Sequence, residues 1–259
     1  TNAGIARSGD TIGMDPAEVL RINAGVPGYV SPHGNRVDGC ELRQCIDMVE
    51  EMIDWKSKQA AHEPGRGLGM ACTVHVSGKR HFMDYDGGSA TIKINEDGKA
   101  LILSGEGEIG QGATTVFCQI AAEELGVPLS QVEVVSGDTD RCPYSVGESG
   151  SRTTIQTGYA VVQAAKDLKQ QIAAQGMPSG SEVLIASATP VPNTDGKTRQ
   201  CFGAHFVEVE VDTRIGTTRI LKYTTVHESG RIINPTTARD QIRGATIQGI
   251  GQALHEDLL

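Results

Sequence analysis

Residues 90–126 read ATIKINEDGKALILSGEGEIGQGATTVFCQIAAEELG and carry three structural signals in succession. Residues 90–94 and 100–103 alternate as strands do, and Asp97-Gly98 between them can supply the positive φ values of a tight turn. Residues 114–125 place apolar side chains on one helical face, and the glycine that follows is a helix stop. This stretch therefore predicts a β-hairpin, a glycine-rich loop and a helix.

Similar patterns continue on both sides of this stretch. Residues 41–63 carry apolar side chains at spacings of three and four, which predicts one amphipathic helix ending before Pro64. Residues 176–198 show no sustained period and predict a linker or an abbreviated excursion. Further elements are predicted as helices at 15–20, 153–175 and 236–258 and as strands at 131–135, 207–211 and 217–226. The predicted fold class is α+β, with β-hairpins packed against long helices.

The composition excludes several classes of protein. The 259 residues include 38% apolar residues and 32 glycines, which fits one large or two modest globular domains. A net charge of -9 without a basic run argues against nucleic acid as a partner. Six cysteines include no C-x-x-C pair, so the ligand spacing of a zinc ribbon or an iron-sulfur cage is missing. No apolar run reaches the ~18 residues of a membrane span, and we expect a cytoplasmic location.

Residues 105–110, GEGEIG, match the G-x-G-x-x-G pattern of dinucleotide-binding loops. Several features argue against that function. Glu106 and Glu108 would place two negative charges beside a pyrophosphate, and the preceding strand is predicted in a hairpin rather than in a βαβ unit. Asp138 follows Gly105 by 33 residues, against ~20 for the acidic residue of the motif. A nicotinamide or flavin dinucleotide-binding dehydrogenase remains an alternative hypothesis.

Gly110-Gln111-Gly112, at the start of the predicted helix, forms a second candidate within the same loop. Flanking glycines permit close approach of a ligand, and a glutamine amide offers both a donor and an acceptor. Such a loop suits a polar heterocycle that carries phosphates. A tight strand-to-helix turn with a solvent-facing Gln111 is the alternative.

Residues 147–154, GESGSRTT, precede the predicted helix at 153–175 and are called the second loop. Hydroxyl groups, backbone amides and a guanidinium meet there at a helix N-terminus, which indicates an anion site. Ordinary capping of the helix by Ser151 or Thr153 is the alternative. A serine hydrolase is not favoured, because G-x-S-x-G requires glycine at position 151, and no histidine and acid can be assigned to Ser149.

The last predicted helix carries Ile242, Thr246, Ile250 and Ala253 on its buried side and a row of glutamines clear of that side. Gln241, Gln248 and Gln252 fall within about 40° of one another at 100° per residue. Gln241 is the strongest candidate for a ligand contact because it lies nearest the N-terminal end of the helix. An exposed polar row is the alternative. His227, in the loop before this helix, is expected to be structural rather than a metal ligand.

Taken together, these segments resemble the large, molybdenum-cofactor-binding subunit of the xanthine dehydrogenase family of molybdenum hydroxylases. Order and spacing agree over roughly residues 15–259. The matching segments are GEGEIGQG at 105–112, AEELGV at 122–127, GDTD at 137–140, GSRTT at 150–154, GRIINP at 230–235, Gln241 and Gln248-Gly249. The Gly-Ser-Arg form of the second loop resembles the bacterial branch, which includes hydroxybenzoyl-CoA reductases and carbon monoxide, purine and aldehyde dehydrogenases.

The resemblance implies cofactor contacts at specific positions. Gln111 would form a hydrogen bond with the molybdopterin, Gln241 would contact the pterin, and Arg152 would pair with a phosphate. The full set of implied cofactor-binding residues is Gly110, Gln111, Gly112, Gly150, Ser151, Arg152, Thr153 and Gln241. No side chain is expected to ligate the metal directly. The pterin is expected as a cytosine dinucleotide, as is common in the bacterial branch.

The resemblance also implies an organisation. Residues 1–62 would end a first molybdopterin-binding subdomain, and residues 63–175 and 199–259 would form a second one, similar to the first, interrupted by the linker at 176–198. The family's upstream cofactor loops and its downstream Gly-Glu motif, which holds the glutamate base, are missing. No catalytic residue is therefore assigned, and we expect the sequence to be part of a longer chain.

The implied activity is that of a molybdenum-dependent oxidoreductase acting on an aromatic heterocycle, an aldehyde or an aromatic CoA thioester. Electrons would leave through an iron-sulfur small subunit and an FAD medium subunit, in a dimer of heterotrimers. The other hypotheses are the dinucleotide-binding dehydrogenase and a non-catalytic phosphate-binding or scaffold fragment.

Overall fold

A computed structural model describes residues 9, 11–30, 36–61, 63–78, 86–190 and 197–257. The helices are α1 (Pro16–Asn23), α2 (Leu42–Ile53), α3 (Trp55–Ala61), α4 (Ala113–Leu125), α5 (Thr153–Gln175) and α6 (Pro235–Leu254). The strands are β1 (Arg36–Val37), β2 (Arg66–Val76), β3 (Ala90–Ile94), β4 (Ala100–Ser104), β5 (Val132–Ser136), β6 (Leu184–Ala188), β7 (Lys197–Thr198), β8 (Gln200–Asp212) and β9 (Thr217–Glu228). This mixture of helices and sheets confirms the predicted α+β class.

The chain divides into two compact units, and their bounds do not coincide with the predicted subdomains. The first unit comprises Thr1–Val76, Gly196–Arg231 and Ile250–Leu259, and the second comprises Ser77–Asp195 and Ile232–Gly249. The predicted subdomain bounds at 62, 175 and 198 therefore stay a prediction about family subdomains. In the described residues, no helix combines the length and the apolar character that crossing a membrane requires.

The first unit is built on an antiparallel sheet of order β2-β8-β9. Alternate residues of β8, such as Phe202 and Phe206, are buried in a core that includes apolar residues of α1 and α2. The rings of Trp55 and Phe206 meet edge to face, with 5.7 Å between their centroids. The sequence patterns do not predict β2, because Gly67 and Gly69 interrupt its alternation.

The single helix predicted at 41–63 is wrong, because the chain breaks it at Asp54. That residue adopts a left-handed conformation with φ 55°, and α3 starts at the next residue. Ile53 and Trp55 are 2% and 3% exposed. An uninterrupted helix would direct two residues two positions apart to nearly opposite faces, at 100° per residue. The break allows both side chains to enter the core.

The second unit is built on a sheet of order β5-β4-β3-β6, with α4 and α5 contributing to its core. The predicted hairpin of β3 and β4 is confirmed. The argument that β4 belongs to a hairpin rather than to a βαβ unit is wrong, because β4 also pairs in parallel with β5, across α4. The interpretation of 176–198 as a linker is wrong in part, since β6 pairs along the whole of β3.

Helix α6 has the predicted type but not the predicted burial. None of its side chains is buried. Of the four residues expected on a buried face, Ile242, Thr246 and Ile250 are only partly covered and Ala253 is exposed. Positions 244 and 249 are glycines with open space where a Cβ would stand. Small residues give this helix little apolar surface, so its periodicity alone overstated its burial.

Candidate functional site

The first loop, residues 105–112, joins β4 to α4 in the second unit. Gly105 allows a close approach of the chain, because a Cβ there would overlap the carbonyl oxygen of Pro143. Gly110 and Gly112 have φ values of 98° and 81°, a region that side chains disfavour. Glycine is thus required at position 105 by packing and at the other two positions by backbone conformation.

The N-terminus of α4 is capped by the carboxylate of Glu108. Glu108 Oε1 accepts from the amides of Gly110 at 3.0 Å and Gly112 at 2.9 Å, and Oε2 accepts from the amide of Thr114 at 3.1 Å. Partial burial acts to raise the pKa of Glu108, but these amide hydrogen bonds outweigh it and lower the pKa below its usual value. A dinucleotide pyrophosphate would have to displace this carboxylate from the helix end. The cap therefore argues against dinucleotide binding although the βαβ topology is present.

Gln111 is held in one orientation by its own loop. Its Oε1 accepts from the amide of Ile109 at 2.7 Å, and its Nε2 donates to the carbonyl of Gly107 at 3.0 Å. A glutamine amide has two N–H donors, so one donor on Nε2 stays available. A flip of the amide would set N–H against N–H and oxygen against oxygen, so the orientation of Gln111 is fixed. In that orientation one N–H of Nε2 and the second lone pair of Oε1 can meet a ligand.

The second loop leads into α5 through two residues with left-handed backbone. Gly150 and Ser151 have φ values of 62° and 55°, and the carbonyl of Gly150 accepts from the amide of Gly78 at 2.7 Å. Ser151 is exposed, whereas Thr153 is buried. The N-cap residue is Arg152, which makes no side-chain capping hydrogen bond. A non-glycine residue in this conformation is uncommon, and such conformations cluster at functional sites.

The predicted role of Arg152 as a phosphate partner is wrong in this structure. The side chain is fully buried, and all three of its nitrogens donate within the protein. Nε bonds Asp86 Oδ1 and Nη1 bonds Glu106 Oε1, each at 2.8 Å, while Nη2 bonds the carbonyl of Gly87. A guanidinium that neutralises two buried carboxylates cannot also meet a ligand phosphate without leaving them uncompensated.

The residues around Arg152 form a buried cluster that sequence reasoning missed. Thr157 Oγ1 donates to Glu106 Oε1 at 2.7 Å, and Gln156 Nε2 donates to Asp86 Oδ2 at 2.8 Å. We call Asp86, Glu106, Arg152, Gln156 and Thr157 the Arg152 cluster. The sequence carries a partial signal at Glu106, a charged residue between two glycines, and none at Arg152, whose neighbours are Ser151 and Thr153.

Helix α6 meets the first loop near its N-terminal end. Gln241 Nε2 lies 3.4 Å from the carbonyl oxygen of Gly110, as a weak hydrogen bond. A Cβ on Gly112 would come within 2.9 Å of Thr237 Cγ2. The carboxamide of Asn234 caps the helix by accepting from the amides of Thr236 and Thr237 at 3.1 and 3.2 Å.

The structure thus connects the three predicted elements within the second unit. Gln241 contacts Gly110, and Arg152 of the second loop contacts Glu106 of the first. The side chains of Gln248 and Gln252 are exposed. His227 lies in the first unit, with its ring centroid 4.8 Å from that of His205, and takes no part in this site.

A family model described as the molybdopterin cofactor-binding domain matches residues 48–186 and 179–259. The chain belongs to this family. The resemblance inferred from the loop motifs is therefore confirmed.

Individual proteins agree with the family. The xanthine dehydrogenase molybdenum-binding subunit of Escherichia coli O157:H7 is 30% identical in an alignment 292 residues long. The alignment covers 96% of this chain and 39% of that protein. The nicotine 6-hydroxylase large subunit of Paenarthrobacter nicotinovorans is 28% identical in an alignment 284 residues long, which covers 89% of this chain and 35% of that protein.

A solved structure shows the same fold. The crystal structure of quinoline 2-oxidoreductase from Pseudomonas putida 86 superposes with a TM-score of 0.86 at 26% identity, covering 98% of this chain and 40% of that chain. The chain spans between 35% and 40% of the length of these three proteins.

Proposed function

We propose that this chain holds the pterin of a molybdenum cofactor in a molybdenum-dependent oxidoreductase, through the first loop, the second loop and Gln241. The locked amide of Gln111 carries this proposal. It presents an oriented N–H donor next to Gly110, which has open space where a Cβ would stand. Family membership supports the choice of ligand.

The polar groups at the site fit a pterin that carries phosphate. Gln111 donates from Nε2, and Gly110 permits close approach of a ligand to the backbone. The exposed hydroxyl of Ser151, between Gly150 and Thr153, is placed to bind an anion at the N-terminus of α5. Gln241 adds an amide next to Gly110. Arg152 is not included, because its donors are already engaged.

The residues of this chain bind and orient the cofactor. When bound, the molybdenum group supplies two-electron redox chemistry, and the protein fixes its position and the polarity of its surroundings. Gln111 directs one N–H donor towards the cofactor. The carboxylate of Glu108 occupies the N-terminus of α4 and so prevents a competing anion from binding there. No residue of this chain is proposed as the catalytic base.

The names of the relatives support further parts of the proposal. Xanthine, nicotine and quinoline are nitrogen heterocycles, which supports an aromatic heterocycle as one substrate class, beside an aldehyde or an aromatic CoA thioester. Two of the relatives are named as subunits, which supports assembly with others. We propose an iron-sulfur small subunit and an FAD medium subunit as electron acceptors, a cytosine dinucleotide form of the pterin, a dimer of heterotrimers and a cytoplasmic location.

The experiment is a comparison of Gln111→Ala with Gln170→Ala in the protein purified at its native length. Gln170 is an exposed glutamine on α5 and serves as the matched control. Loss of one hydrogen bond of about 1 kcal/mol predicts about fivefold weaker cofactor retention for Gln111→Ala. Molybdenum and pterin per protein are measured by elemental analysis and by fluorescence of the oxidised pterin.

Other outcomes separate the alternative functions. Equal molybdenum and pterin contents in the two variants would contradict the role of Gln111. Nicotinamide or flavin bound to this chain without molybdenum would favour the dinucleotide-binding dehydrogenase. A protein with neither would favour the phosphate-binding or scaffold fragment.

A further inference from the structure

The Arg152 cluster lies between the two loops of the proposed site and has not been assigned a part in binding. Its charged members are Arg152, Asp86 and Glu106, which are 0%, 5% and 1% exposed. Arg152 and Glu106 belong to different loops and are 46 residues apart in the sequence. Their ion pair therefore fixes one loop against the other.

Glu106 makes this connection through a single oxygen. Oε1 accepts from Arg152 Nη1 at 2.8 Å and from Thr157 Oγ1 at 2.7 Å. The next residue, Gly107, donates its amide to a carboxylate oxygen of Glu148 in the second loop. Two consecutive residues of the first loop are thus attached to the second loop, and the carbonyl of Gly107 in turn holds Gln111 Nε2.

Only one of the two carboxylate oxygens of Glu106, Oε1, makes the connection between the loops. Among the described residues, no donor lies within hydrogen-bonding distance of Glu106 Oε2 or Gln156 Oε1. A buried acceptor without a donor is unfavourable. The oxygen of Glu106 that links the two loops is therefore Oε1, which acts as a hydrogen-bond acceptor.

We infer that Glu106 is a positioning residue, which acts through Arg152 to hold the first loop and Gln111 in the binding conformation before the cofactor arrives. The effect on cofactor binding rests on the proposed function, whereas the link between the two loops rests on contacts within the protein. A loop that is already ordered binds a ligand more tightly, because little conformational entropy is lost on binding.

The test compares Glu106→Ala with the conservative Glu106→Gln in the protein at its native length. The amide oxygen of glutamine can replace Oε1, so Glu106→Gln should lose cofactor within about twofold of the wild-type rate. Glu106→Ala leaves Arg152 without one partner and should lose molybdenum and pterin at least about tenfold faster. Glu96→Gln and Glu96→Ala, at an exposed hairpin turn, are the matched controls.

A second readout does not depend on the cofactor. The amides of Gly107, Ile109, Gly110 and Gly112 all donate to side chains of the two loops. In the cofactor-free protein, their hydrogen exchange should accelerate at least about tenfold in Glu106→Ala and stay near the wild-type rate in Glu106→Gln.

Wild-type exchange rates in Glu106→Ala would overturn the inference, as would equal acceleration in Glu106→Gln. If Glu106→Ala does not fold, Thr157→Val removes one of the two donors to Oε1 and should accelerate exchange at the same amides by a smaller factor. Unchanged exchange in Thr157→Val would then overturn it. A wild-type protein without molybdenum or pterin would contradict the proposed function instead, while the exchange comparison would still test the positioning role.

Discussion

In the first unit, Arg21 pairs with Asp47 and Glu50 at a surface where all three side chains are partly exposed, whereas Arg152 in the second unit pairs with Asp86 and Glu106 in its interior. The core of the first unit is otherwise apolar, with Trp55 and Phe206 at its centre. The same ion-pair chemistry is therefore placed in two environments within one chain.

The difference shows that charged side chains are desolvated in the second unit, at the proposed site, and stay hydrated at the surface of the first unit. A buried ion pair is a weak source of stability, but removal of one partner is severe, and some proteins retain such pairs to fix a specific arrangement. Here the buried pair joins the two loops of the proposed site. We interpret it as a device for specificity, and the pairs of Arg21 as surface contacts of small energy.

The largest expected effect comes from removal of each arginine. Arg152→Met removes the buried ion-pair partner of Asp86 and Glu106 and should lower the free energy of unfolding by about 3–5 kcal/mol. Arg21→Met should lower it by less than about 1 kcal/mol, because its partners can be hydrated. Urea-induced unfolding monitored by circular dichroism measures both. Losses of similar size would remove the contrast between the two units.

The role of Arg152 also shows what the sequence could and could not predict. Local periodicity predicted the β3–β4 hairpin and helices α4 and α5, since these depend on neighbouring residues. The loop motifs predicted the family. The partners of Arg152 could not be predicted, because Asp86 and Glu106 lie 66 and 46 residues away in the sequence. Strand β6 was missed for a similar reason, as its pairing with β3 is non-local.

A smaller effect is expected from two glycines of the second unit. Gly105→Ala places a Cβ against the carbonyl oxygen of Pro143 and should cost about 1–3 kcal/mol of unfolding free energy. Gly244→Ala, in open space on α6, should instead stabilise the protein by about 0.5–1 kcal/mol through helix propensity. Thermal unfolding distinguishes the two signs. Stabilisation by Gly105→Ala would show that the first loop is not packed against residues 143–145.

A further effect, on stability in acid, concerns a histidine of the first unit. Burial, and then the neighbouring His227, lower the pKa of His205 to about 4 from the ordinary value of 6.5. Tyr223 and Thr73 also contact its ring nitrogens. The unfolded chain takes up a proton at His205 at higher pH than the folded protein does. The stability that neutral His205 contributes is therefore present above about pH 6.5 and is lost as the pH falls towards 4.

The measurement is the difference in unfolding free energy between pH 7 and pH 4.5. His205→Gln does not titrate and should show a smaller decrease than the wild type over this range. His75→Gln, an exposed histidine on the neighbouring strand, is the control. An equal decrease in His205→Gln and the wild type would place the acid sensitivity of the first unit elsewhere.

The most direct test of the central claim is an experimental structure of the native-length protein purified with its cofactor. We predict density for a pterin within hydrogen-bonding distance of Gln111 Nε2, with the Gln111 Oε1 contact to the amide of Ile109 retained. Pterin density remote from Gln111, or a nucleotide phosphate in place of the Glu108 carboxylate at the N-terminus of α4, would contradict the account.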